Sequence, residues 1–294
     1  MVFMRFFLLW IVCFFVLRLS GQTSATYSFD TLRLTSGYTA FPDTGRLNGH
    51  RYDGVHYIAK EHYSDSTVLV LVPRSVKNAN VIPVVCWFHG WYNTVDSANQ
   101  YFALQQQFIH AAPNAIFIIP EMARNAPDSY GGKLVQNGMF TLLLKDLFKQ
   151  LSAQKIIQLN AQPGDVVLAG HSGAYSVMMH ISKQATVPVR AIFLFDGLYR
   201  YADEFTKWMG KKTANKWVHW YTHDGGGTDE ESEVMMQLLV KENIPFKKVT
   251  ETDVTDDLLN NTSCLFIESK RLHNDVIARP ANFYRLIKSL KWLY

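Results

Sequence analysis

Short apolar runs that alternate with helical periods predict an α/β fold: a mostly parallel, twisted sheet with helices on both faces and no large lid domain. Three observations carry this. Seven short runs rich in β-branched and aromatic residues read as strands, most of them apolar throughout as a doubly covered sheet requires. The segments between them repeat apolar residues at i, i+3, i+4 and i+7. Only a short stretch separates Asp196 from the Trp217 run, too little for a separate cap.

In chain order, the strand expectations are Ser66–Pro73, Val81–Phe88, Asn114–Pro120, the run Val166 to Leu168, Ala191–Phe195, Trp217–Tyr221 and Cys264–Ile267. Tyr101, Leu104, Phe108 and Ala111 fall on one helical face, and Phe140, Leu143, Leu147 and Leu151 on another. Ala174, Val177, Met178 and Ile181 mark a third. Thr228 and Glu231 have the spacing of a capping box for a helix with Val234, Met235, Leu238 and Leu239. Pro280 opens a terminal helix faced by Phe283, Leu286, Ile287, Leu290 and Leu293. Residues 28–63 are polar and turn-rich but dense in aromatics, so they wrap the domain edge as a capping hairpin or furnish a wall of a site with His50 and Tyr52.

Residues 1–22 stand apart. Arg5 precedes an apolar block from Phe6 to Leu17, and small residues follow, the pattern of a secretory signal peptide. The block falls short of the roughly 20 apolar residues of a membrane span. The reading is therefore a signal peptide over 1–22, one domain over 23–294, and a secreted or periplasmic location. The chain has 294 residues and a formal net charge of +4, part of it in this leader. The remaining slight, dispersed positive excess excludes a nucleic-acid surface. Cys86 and Cys264 each sit inside an apolar strand and read as small core residues.

The chemistry converges on residues 164–174, GDVVLAGHSGA. A strand stops at a cluster of small residues with Ser172 at the apex, and a helix follows, the context that gives a Gly-x-Ser-x-Gly pattern meaning. Gly170 and Gly173 make room for a sharp turn, and Ala174 replaces the last glycine. A serine hydroxyl needs an imidazole to take its proton and a carboxylate to orient that imidazole. No cofactor motif accompanies it. His219 and His223 lie four apart but lack a third metal ligand, so no metal is expected.

The order of these features resembles the α/β-hydrolase family over most of residues 66–294. The resemblance implies Ser172 as nucleophile, His273 beyond the last strand as base, and an aspartate after a late strand as acid. It puts Asp224 first for the acid, after the penultimate strand, and leaves Asp196 open as second choice at the end of Ala191–Phe195. It also implies an oxyanion site from the N–H of Gly173 and from His89-Gly90-Trp91, with Trp91 favoured over Gly90. His89, His50, Asp128 and Tyr130 are the candidates for substrate contacts, the last two on the long loop from Glu121 to Asn137. The activity implied is ester hydrolysis through an acyl-enzyme, on a small-molecule or polysaccharide-linked ester. A peptidase or amidase on the same residues, or a non-catalytic binding protein on this scaffold, are the alternatives.

Overall fold

The computed structural model describes residues 28–212, 214–224, 226–278 and 281–294. The leader over 1–22, Gly225 of the glycine run and Pro280 lie outside the described residues. Eleven strands are present among those described: β1 (Phe29–Thr35), β2 (His50–Tyr52), β3 (Val55–Tyr57), β4 (Thr67–Pro73), β5 (Val81–Phe88), β6 (Ile116–Pro120), β7 (Gln162–His171), β8 (Val189–Phe195), β9 (Lys216–Tyr221), β10 (Lys247–Thr250) and β11 (Cys264–Glu268). The helices are α1 (Ala59–His62), α2 (Val95–Tyr101), α3 (Leu104–Ala111), α4 (Met139–Ala153), α5 (Tyr175–Gln184), α6 (Ala202–Gly210), α7 (Thr228–Lys241), α8 (Asp256–Asn261) and α9 (Asn282–Lys288).

Nine strands form one sheet in the order β1-β4-β6-β5-β7-β8-β9-β11-β10. From β6 to β10 every pairing is parallel; β4 pairs antiparallel with both β6 and β1. This is the mostly parallel sheet, covered by helices on both faces, that the sequence predicts. Strand alternation sends neighbours to opposite faces, which the sequence shows plainly in Trp87-Phe88. Phe88 joins Phe140, Leu143, Met178, Phe205 and Met235 in the layer beneath α4 to α7. Trp87 joins Phe108, Phe195, Trp220 and Phe283 in the layer beneath α2, α3 and α9. Each such fully buried large side chain contributes roughly 1.5–3 kcal/mol relative to exposure. Cys86 and Cys264 are buried free thiols.

Three local expectations are revised, and one edge strand adds to them. The helical face from Tyr101 to Ala111 is split between α2 and α3, because Ala103 takes a left-handed φ of 50°. Tyr101 is consequently exposed while Leu104 and Phe108 are buried. The capping box at α7 is not formed: Gly227 is the N-cap, and Thr228 and Glu231 turn to other partners. Residues 28–63 do include a hairpin, β2–β3, but β1 is an edge strand of the main sheet. The edge strand β10 carries no apolar run in the sequence and is held by pairing with β11.

Candidate active site

All the groups of interest lie just beyond the carboxyl ends of parallel strands, where an open α/β sheet presents its crevice. Ser172 follows β7, Asp196 follows β8, Thr222 follows β9, His89 follows β5 and Glu121 follows β6. His273 lies between β11 and α9.

The turn at Ser172 is tight in a measurable way. Ser172 has φ of 54°, a left-handed conformation that is unfavourable for a residue with a side chain. A Cβ on Gly170 would come within 2.7 Å of both Ala174 Cβ and Met178 Sδ. One on Gly90 would stand 2.7 Å from Ser172 Cβ, and one on Gly197 would stand 2.7 Å from Ser172 O. The serine is thus wedged between two other strand ends, and glycine is needed on both sides.

Asp196 is 1% exposed and also has a positive φ, 41°. Its Oδ2 accepts from His273 Nδ1 at 2.7 Å and from the Thr222 hydroxyl at 2.6 Å. Its Oδ1 accepts from the Thr222 N–H at 3.0 Å and the Thr228 hydroxyl at 2.5 Å. Burial pushes this carboxyl upward, but the hydrogen bonds from His273, Thr222 and Thr228 win and hold it well below the usual carboxylate range. Asp224 is exposed, and its Oδ2 accepts the backbone N–H of His273 at 2.9 Å. The first-choice aspartate therefore reaches the main chain of His273, and the second-choice aspartate reaches its ring. The preference for Asp224 at the ring is overturned, because β8 delivers Asp196 directly beneath the imidazole.

His171, which the sequence reading passed over, completes the setting. Its buried Nε2 lies 3.1 Å from the carbonyl oxygen of His273, and the two rings are 4.4 Å apart between centroids. Burial and the neighbouring His273 push His171 down to about 3, so its ring is neutral and donates to that carbonyl. His273 is accordingly held at its N–H, its C=O and its Nδ1, which leaves Nε2 as its remaining polar ring atom.

Ser172 and His273 line one cleft of about 470 Å³, together with Trp91, Tyr92, Asn93, Tyr101, Phe102, His171, Tyr199 and Asn274. Burial and the nearby Asp196 push the Tyr199 phenol up to about 12, while its contact with the Ser172 side chain works the other way. Gly90, Trp91 and Gly173 gather around the serine: Trp91 Cδ1 lies 2.6 Å from where a Cβ on Gly173 would be. The Trp91 indole N–H donates to the Ser129 hydroxyl at 2.8 Å.

The four candidates for substrate contact fare differently. The His89 side chain is fully buried, with Nδ1 2.9 Å from Gly90 O and Nε2 2.8 Å from Glu121 Oε1, so it cannot meet a substrate. Asp128 is bound by Arg46 at 2.6 and 3.1 Å, and the Tyr130 hydroxyl donates to Asp43 at 2.8 Å, with Arg46 stacked 4.6 Å over its ring. Both belong to an internal cluster that ties residues 43–46 to the long loop. Ser129 between them approaches Gly173, its Oγ 2.8 Å from where a Cβ on that glycine would be. His50 sits in β2 opposite Tyr57, outside the residues lining the cleft. Its hairpin neighbour Tyr52 packs edge-on against Trp91 at 5.2 Å. His219 is buried and touches Ser232, whereas His223 is exposed between Asp229 and Glu268. Among the described residues no cluster of His, Cys, Asp and Glu could hold a metal.

No protein-family model matches the sequence, and no curated protein matches it. Solved structures do resemble the fold. A ferulic acid esterase superposes with a TM-score of 0.54 at 12% identity, over 92% of this chain and 100% of its own. The S954A mutant of the feruloyl esterase module from Clostridium thermocellum, complexed with sinapinate, superposes with a TM-score of 0.50 at 8% identity, over 89% of this chain and 87% of its own. At such identities the likeness is one of fold.

Proposed function

We propose that this chain is a serine hydrolase that cleaves carboxylic esters through an acyl-enzyme, with Ser172, His273 and Asp196 as its triad. The observation that carries the reading is the 2.7 Å contact of Asp196 with His273 Nδ1, in a cleft that His273 shares with a backbone-strained serine. Asp196 fixes the tautomer with the proton on Nδ1, so Nε2 is the base. Ser172 Oγ attacks the acyl carbon as Nε2 takes its proton. The N–H groups of Gly173 and Trp91, with Gly90 behind, stabilise the oxyanion, each such donor being worth about 2.7–4 kcal/mol. The imidazolium returns the proton to the leaving alcohol. A water then attacks the acyl-enzyme by the same route and frees Ser172.

Trp91, Tyr92, Tyr101, Phe102 and Tyr199 line the cleft, and Asn93 and Asn274 add amide groups. That lining suits an ester of an aromatic or polar acid, small or carried on a polysaccharide, and the names of the two esterases above agree with it. No helix among the described residues is long and apolar enough to cross a membrane. With the leader over 1–22, the protein is exported and acts outside the cytoplasm as one domain over 23–294. A fluorophosphonate probe tests the central claim: it should label the folded protein at Ser172, as mapped by peptide mass spectrometry, and no labelling would overturn it. N-terminal sequencing of the product exported by its host tests the leader.

A further inference from the structure

Glu121 is 3% exposed, and the hydrolytic scheme above gives it no task. Its carboxylate meets two groups. Oε1 lies 2.8 Å from His89 Nε2, and the Val95 N–H donates to Oε1 at 3.1 Å and to Oε2 at 3.2 Å. His89 is the first residue after β5, and Val95 is the first of α2. Between them runs the loop that carries Gly90 and Trp91, and one carboxylate grips both ends of it. The same loop is pinned along its length: Tyr92 N–H donates to Ala126 O at 3.2 Å, Asn125 N–H to Asn93 O at 2.9 Å, and Asn93 Nδ2 to Trp91 O at 2.9 Å.

A buried carboxylate costs several kcal/mol in desolvation unless donors surround it. An apolar residue after β6 would fill the space without that cost, so packing alone does not explain a glutamate there. What a carboxylate adds is a fixed geometry between two strand ends: it accepts from the Val95 N–H and abuts His89 Nε2, which the Met122 N–H also meets at 3.1 Å. From this we infer that Glu121 is a positioning residue for the oxyanion site: through His89 and Val95 it sets the direction of the Gly90 and Trp91 N–H groups toward Ser172. The inference rests on the hydrolase reading. It assigns Glu121 to the transition state, because the ground-state ester makes far weaker demands on those donors.

Two variants of the full-length protein test it, with p-nitrophenyl acetate as substrate and a trifluoromethyl ketone as a probe that forms the oxyanion. Glu121→Gln leaves an amide against His89 Nε2 and the Val95 N–H. It should lower kcat about 10- to 100-fold with KM nearly unchanged, the scale of an ångström-level misplacement, and weaken the ketone by the same factor. Val95→Pro removes the other hydrogen bond and exchanges one buried apolar side chain for another of similar size. Proline is favoured at the first helical position, and Thr94 already has the extended backbone (φ −126°, ψ 169°) that a following proline requires. Val95→Pro should therefore keep its melting temperature and lose kcat about 3- to 10-fold. Combined with Glu121→Gln it should cost little more than Glu121→Gln alone, since both break one clamp. Normal kcat in both variants would overturn the inference. So would losses that appear in KM alone, or that track the fraction of folded protein. A wild type that neither turns over ester nor labels at Ser172 would remove the hydrolase reading and this inference with it, and that result is read before any variant is compared.

Discussion

Asp196 and Asp224 both hold His273, one through its ring and the other through its main chain, and their surroundings could hardly differ more. Asp196 is buried at the end of a strand, with donors from His273, Thr222 and Thr228 on both oxygens. Asp224 is exposed, on the loop between β9 and α7, and makes one bond to a backbone N–H. A carboxylate that must meet a developing imidazolium gains most where the dielectric is low and the geometry is over-determined. A carboxylate that only steadies a peptide N–H can stand in water and be replaced by any acceptor of the same shape. In the proposed scheme, electrostatic work falls to the residue that the sheet delivers, and tethering to the residue that the loop delivers.

The sharpest break would come from Ser172. Ser172→Ala should abolish probe labelling and lower kcat by roughly 10⁶-fold, while the melting temperature stays nearly unchanged. A large loss of stability would instead make the serine structural. Asp196→Asn comes next, with a loss in kcat of about 10⁴-fold, because an amide can present N–H₂ to Nδ1 and fix the wrong tautomer. The depressed Asp196 carboxyl carries a sign as well. Its contribution to stability is complete above the unfolded value of about 3.9 and is lost only as pH falls through the lower folded value, so acid melts of wild type and Asp196→Asn should converge at the acid extreme.

Thr228→Val sharpens the comparison from the donor side. It removes one of the bonds that hold the buried carboxylate and should cost about 1–3 kcal/mol in urea melts, with a drop in kcat well short of that for Asp196→Asn. Asp224→Asn should lower kcat by less than about tenfold, the contribution of a single tethering bond of about 1 kcal/mol, because the asparagine oxygen still accepts the His273 N–H. If Asp224→Asn cost more than Asp196→Asn, the division of labour would be inverted.

The smallest effect concerns His223 on the Asp224 loop. Its hydrogen bonds to Glu268 and Asp229 hold its ring above the ordinary imidazole value. Stability from a raised group is complete below the unfolded value, about 6.5, and fades as pH rises through the folded value. A His223→Asn variant should therefore melt slightly below wild type in mild acid and together with it in mild alkali, by calorimetry. The site is exposed, so solvent screening keeps the difference small.

Much of this architecture is written locally. Val81–Phe88 is apolar throughout because both faces of β5 are covered, and the strand has the predicted bounds. Gly170, Ser172 and Gly173 are legible as a turn because crowding there forbids larger side chains. The order of Ser172, a later aspartate and His273 is likewise a property of the chain. Other features had no local signal. Thr228 has the spacing of a cap, yet its hydroxyl donates to Asp196, since a buried carboxylate offers more than a solvated helix end. Asp128 and Tyr130 look available on a long loop, but Arg46, far away in sequence, occupies Asp128 and stacks on Tyr130.

Sequence by itself determined which residues could form strands, the turn at Ser172 and the chain order of the groups with chemistry. These follow from periodicity, side-chain size and backbone freedom, all of which act over a few residues. Only the tertiary structure decided which aspartate meets the imidazole, that His171 braces it and that Glu121 spans the loop of Gly90 and Trp91. Those choices depend on the order of strands across the sheet, where β7, β8 and β9 lie side by side and bring Ser172, Asp196 and Thr222 together. Strand order is set by how whole layers pack, and a hydrogen bond between residues 77 positions apart leaves no periodic trace in the chain.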